Sequence, residues 1–111
     1  FVLFISAPVP ERRLVMYRNK KILQSAKGQP CTIRSVWCKG DPKTTVAAHS
    51  NQSIHGKGGK LKAHDCFVAY ACSDCHRWLD ESTASRAEKV EAFNAAMHRT
   101  WLLLLQNGVL K

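Results

Sequence analysis

The residues of this chain that could do chemistry are five cysteines, five histidines and a few acids among 111 residues. Cys72-Ser73-Asp74-Cys75 is a tight Cys-x-x-Cys knuckle, and Cys31 and Cys38 bracket six residues. Two pairs of thiolates suit a four-coordinate structural zinc ion, which would tie the first half of the chain to the second. The Cys31/Cys38 spacing is longer than a usual knuckle. The other readings of Cys72/Cys75 are a redox pair, which lacks a thioredoxin-like βαβ pattern around it, and ordinary buried cysteines. Cys66 lies in an apolar run and reads as a small core residue. An odd cysteine count without a secretory signal argues against a disulfide framework. His49 follows an apolar, β-branched stretch. His76 follows the knuckle directly, and Asp80 lies four residues later, so a helix puts both on one face.

The elements that must position these groups follow from pattern. Tyr17 to Ala26 reads as a short helix ending near Gly28. Thr44 to Ala48 reads as a strand running into His49. Ser50 to Lys62 is a loop rich in Gly, Lys and Ser. Cys66 to Ala71 has strand composition, and Ser73 to Asp80 is expected to be a short helix. Ser85 and Glu88 fit a capping box. Beyond it, Val90, Phe93, Met97, Trp101 and Leu104 recur at helical spacing as a buried stripe, and Asn107-Gly108 is the stop. The fold class is therefore α+β: strand, long loop, strand, short helix, long C-terminal helix. Residues 1–15 read as an N-terminal arm or extraneous segment, with a core strand as the alternative. Residues 16–111 form one domain, as the length suggests.

Charge narrows the partner. Seventeen Lys and Arg stand against eight Asp and Glu, for a net +9. Twelve of the bases lie between Arg12 and Lys62, where Asp41 is the one acid. This asymmetry points to a polyanion, with nucleic acid the leading candidate; a basic surface without a partner is the bland alternative. Lys57, Lys60 and Lys62 sit among Gly56, Gly58 and Gly59, where small residues allow close approach to a phosphate backbone. A solvated loop is the other reading, and the spacing is not that of a Walker motif. Apolar runs such as Trp101 to Leu105 are far short of a membrane span, and the basic stretch has no clean amphipathic helix to lie on a membrane.

Together, His49 at a strand end, the Gly/Lys loop and Cys72-x-x-Cys75-His76 at a helix start resemble the HNH, or ββα-metal, endonuclease finger. More closely, residues from about Lys27 to Lys111 resemble the small prophage-encoded nuclease family typified by YbcO. The residues that carry this likeness are Cys31 and Cys38, Thr45-Val46-Ala47-Ala48-His49, Lys62-Ala63-His64-Asp65, Ala71-Cys72-Ser73-Asp74-Cys75-His76, Leu79-Asp80, and a long final helix with Trp101 near its close. The resemblance implies that His49 is a general base, since imidazole has the right basicity near neutral pH. It implies that His76 ligates a single divalent metal, Mg²⁺ or Mn²⁺, with Asp80 as second ligand. The chain departs from the HNH pattern at Ala48, where many members carry a metal-binding Asp. It also lacks the usual Asn before the knuckle. Asp65 is the nearest polar substitute, as orienter of His49 or as a metal ligand.

The reading that results is a zinc-stapled, HNH-like α+β domain. It hydrolyses DNA phosphodiester bonds through His49 and Asp65, with Cys31, Cys38, Cys72 and Cys75 on zinc. His76 and Asp80 take the catalytic metal, and Lys57, Lys60 and Lys62 meet the DNA backbone. Phage or prophage DNA processing or recombination inside a bacterial host cell follows from the resemblance alone. The alternative is a non-catalytic zinc module that binds nucleic acid through the same basic surface.

Overall fold

A computed structural model describes residues 16–110; the readings made for residues 1–15 lie outside the described residues. Helix α1 (Lys20–Ser25) is followed by strand β1 (Val46–His49), strand β2 (Val68–Ala71), helix α2 (Ser73–Glu81) and helix α3 (Arg86–Gln106). The strands pair antiparallel, with Val46 opposite Ala71 and His49 opposite Val68. Among the described residues no helix is long and apolar enough to cross a membrane.

All four residues of β2 are buried, and their alternation divides the core in two. Val68 and Tyr70 face Ile22 and Ala26 of α1 and Leu104 of α3. Ala69 and Ala71 face Trp78 of α2 and Phe93, Ala96 and Met97 of α3. The small alanines on this second face let α2 and its cysteines lie close to the sheet. Helix α3 spans both clusters, and its capping box is formed by Ser85 and Glu88 as the sequence predicts. The expected stripe is met by Phe93, Met97 and Leu104, while Trp101 is half-buried and donates its indole N–H to the Cys66 carbonyl at 2.6 Å. Ala96 and Thr100 complete the buried face.

Two sequence readings need revision. Helix α1 starts at Lys20 rather than Tyr17. The Tyr17 carbonyl accepts from Asp65 N–H, and Asn19 N–H donates to the Asp65 carboxylate, so this segment runs extended beside the loop before β2. Cys66 is half-buried, outside the two core clusters. His64 and His55 are half-buried in this loop. The Nδ1 of His64 accepts from Tyr17 N–H at 2.9 Å, and the His55 ring stacks on Phe67 with centroids 4.4 Å apart.

A buried hydroxyl links β2 to α3. Tyr70 N–H donates to Thr100 Oγ1 at 3.0 Å, and Thr32 Oγ1 donates to the Tyr70 carbonyl at 2.9 Å. Replacing Thr100 by the nearly isosteric Val leaves the Tyr70 N–H without its partner, so Thr100→Val should cost about 1–3 kcal/mol. Urea midpoints with an unchanged slope would measure this; an unaltered midpoint would show that the hydroxyl contributes nothing.

Candidate active site

Helix α2 carries two functional faces. Its N-terminal end, the knuckle, meets the loop that holds Cys31 and Cys38. The sulfurs of Cys31, Cys38, Cys72 and Cys75 all lie within 4.8 Å of one another, and the Cys38 and Cys72 sulfurs are 3.9 Å apart. A tetrahedral ion with sulfur at about 2.3 Å has sulfur–sulfur edges of about 3.8 Å, so the cluster fits a structural metal ion such as zinc. Cys31, Cys72 and Cys75 are buried. Burial opposes ionisation of Cys72, but hydrogen bonds from the Cys75 N–H and the neighbouring thiols outweigh it and bring the thiol down to about 7. Burial pushes the Cys75 thiol up instead, although Ser35 hydrogen-bonds to it. In one pocket, a thiolate beside thiols is the arrangement a metal ion converts to four thiolates.

One residue past Cys75, the helix turns a second face to a cleft of about 360 Å³. His76 and Asp80 line it, with His76 Nδ1 and Asp80 Oδ2 3.3 Å apart. His49, at the end of β1, lines the same cleft. The structure thus brings together the three residues that sequence reasoning singled out from two separate elements.

Behind His49 lies Asp65, with 1% of its surface exposed. Its Oδ1 accepts from His49 Nε2 at 2.8 Å and from Arg18 at 3.2 Å, and its Oδ2 accepts from Asn19 N–H at 2.7 Å. Arg18 is itself fixed by donating to the Ala63 and Lys62 carbonyls. Burial works against the Asp65 charge, but His49, the Asn19 N–H and the Arg18 guanidinium outweigh it and hold the carboxyl below its ordinary range. An ionised carboxylate can only accept, so His49 carries its proton on Nε2 and its lone pair on Nδ1. Both oxygens of Asp65 are therefore engaged, Oδ1 by His49 and Arg18 and Oδ2 by the Asn19 N–H.

Four further cleft residues escaped the sequence reading. Asn51 and Gln52 follow β1; Gln52 is held by a 2.7 Å bond from its amide to Asn94 of α3. Arg86 and Lys89 enter from the start of α3. One available signal was a pair of cations in the first turns of a helix, where acids are normally favoured. Arg18 had no signal beyond its charge. Lys57, Lys60 and Lys62 do not line the cleft; the Lys57 ammonium donates to the Gly59 carbonyl at 2.9 Å.

Residues 20–109 match the family described as "Putative nuclease YbcO". A solved structure from Escherichia coli K-12 MG1655, described as "a putative bacteriophage protein", is 30% identical with a TM-score of 0.60. That match covers 78% of this chain and 98% of the other. Among curated proteins, none matches.

The Asp65 network has a pH signature. An ionised Asp65 favours the fold above the ordinary carboxylate pKa of about 3.9, and that contribution is lost as pH falls through its lower folded-state value. Asp65→Asn should therefore be less stable than the parent at pH 7, with a deficit that shrinks towards about pH 2. Denaturant midpoints across that range test this; a deficit constant with pH would exclude a role for the charge.

Proposed function

The chain belongs to the YbcO family, and on that premise we propose that it is a metal-dependent endonuclease of HNH type, acting on DNA in a phage or prophage setting. The single observation that carries the reading is the shared cleft: His49, oriented from behind by a buried carboxylate, faces the His76–Asp80 pair. Sites of this composition suit phosphodiester hydrolysis because each part answers one demand of the reaction.

The attacking water must lose a proton. His49 Nδ1 accepts it, and the Nε2–H bond to Asp65 stabilises the imidazolium that forms. The water oxygen bonds to phosphorus, the bond to the 3′ oxygen breaks, and that oxygen takes a proton from solvent. A divalent cation, held by His76 and Asp80, would offset charge on the phosphate and the departing 3′ oxygen. An imidazole and a carboxylate at adjoining turns fit such an ion. Mg²⁺ is commonly satisfied by one or two protein donors, with water and phosphate completing its shell. Ala48 offers no side-chain donor, so the pair on α2 supplies the whole protein share. Zinc on the four cysteines has no chemical role in this scheme; it holds α2 against the sheet.

Two measurements test the reading. Nicking of supercoiled plasmid should require added Mg²⁺ or Mn²⁺ and fall about 10²–10⁴-fold in His49→Ala. Metal-dependent nicking that His49→Ala leaves intact removes the base, and no nicking with any metal or DNA structure leaves a binding module. For the staple, the parent should carry one zinc per chain, and Cys72→Ser should lose the metal and melt earlier. Full zinc content in Cys72→Ser would contradict the four-sulfur site.

A further inference from the structure

We infer that Arg86 and Lys89 are the phosphate grip of the cleft, seating the DNA backbone beside the reacting phosphate; the inference rests on the nuclease reading for the identity of the polyanion. Both side chains line the cleft that holds His49, His76 and Asp80. They sit one helical turn apart, at the first and fourth positions of α3, so their charges project from one face.

Their placement is fixed by the short turn between α2 and α3. Helix α2 ends at Glu81, and α3 begins at Arg86. The Lys89 ammonium donates to the Ser82 carbonyl at 2.9 Å, and Ser85 caps α3 by accepting from Glu88 N–H. The turn therefore sets the two cations at a constant offset from the His76–Asp80 pair. An ammonium has three donors, so Lys89 keeps two after its bond to Ser82. Among the described residues, the Arg86 side chain makes no hydrogen bond or ion pair, which leaves its planar fork for a bidentate phosphate contact.

A purely structural role does not explain the pair. Cations near a helix N-terminus oppose the macrodipole, and no ion pair to Arg86 is present among the described residues to compensate. Asp80 is the one acid in the cleft lining, so a cleft with its metal in place would be strongly positive. That field favours a polyanion over a neutral or cationic ligand. The lysines of the 57–62 loop were the earlier candidates for this task. None of them lines the cleft, so the grip on the phosphates beside the reacting one is assigned to α3 instead.

The test reads binding apart from turnover. Fluorescence anisotropy of a short labelled duplex, titrated over a salt series without added Mg²⁺ or Mn²⁺, gives the slope of log affinity against log salt. Each phosphate neutralised contributes roughly 0.9 to that slope. The double variant Arg86→Gln/Lys89→Gln should bind more weakly at low salt and lose about 1–2 of the slope, while keeping its zinc content and circular dichroism. Arg86→Lys with Lys89 intact should recover much of the slope, which a folding role would not produce. An unchanged slope in the double variant overturns the grip even if plasmid is nicked. A reduced slope in a protein that never nicks supports the grip and removes the nuclease reading alone.

Discussion

Four sulfurs converging within 4.8 Å are the constraint on which the rest of this small fold depends. Two strands of four residues do not make a stable sheet alone, and a chain of this length buries a limited core. The cysteine cluster joins the loop before β1 to the N-terminus of α2, two segments separated by more than thirty residues. Closing that loop fixes the rotation of α2, and rotation is what matters. Cys75 and His76 are neighbours about 100° apart on the helix. When Cys75 is turned to the sulfur cluster, His76 and Asp80 are turned to the cleft. The cluster and the cleft are consequently one device built on one helix.

Asp65 plays the corresponding part on the other wall. A buried carboxylate without partners would be costly, but this one receives three donors from His49, Arg18 and the Asn19 backbone. The same bonds dock the segment before α1 against the loop before β2, and they select the His49 tautomer. A single group thus holds two segments together and fixes the ring of a cleft histidine, as an orienting carboxylate behind a histidine does. It also gives the departure at Ala48 a physical context. Ala48 carries no acid in the strand, and the carboxylate beside His49 is Asp65, on the loop before β2.

Much of this was legible in the residues. The capping box at Ser85 and Glu88, the apolar stripe of α3, the β-rich run before the knuckle and the paired cysteines each carry a local signature with a physical cause. The spacing of His76 and Asp80 placed them on one face before any fold was known. What was not legible was convergence. Arg18 is an ordinary basic residue in sequence, and only the extended path of residues 17–19 brings it to Asp65. His64 accepts a backbone bond from Tyr17, a contact across 47 positions that no local pattern encodes. The basic loop drew attention by composition, because lysines among glycines look like a phosphate cradle. The cations that reach the cleft lie instead in a helix whose remaining pattern reads as core packing. Charge counts identify a partner class, whereas the turn between two helices decides which charges meet it.

The central claim is that His49 acts as the base in phosphodiester hydrolysis. Chemical rescue tests it most directly: His49→Gly removes the ring and leaves space for a free imidazole from solution. Plasmid nicking by this variant in Mg²⁺ or Mn²⁺ should be nearly absent and should rise with added imidazole to a plateau, while the parent is unaffected. Nicking by His49→Gly at the parent rate without imidazole would contradict the claim.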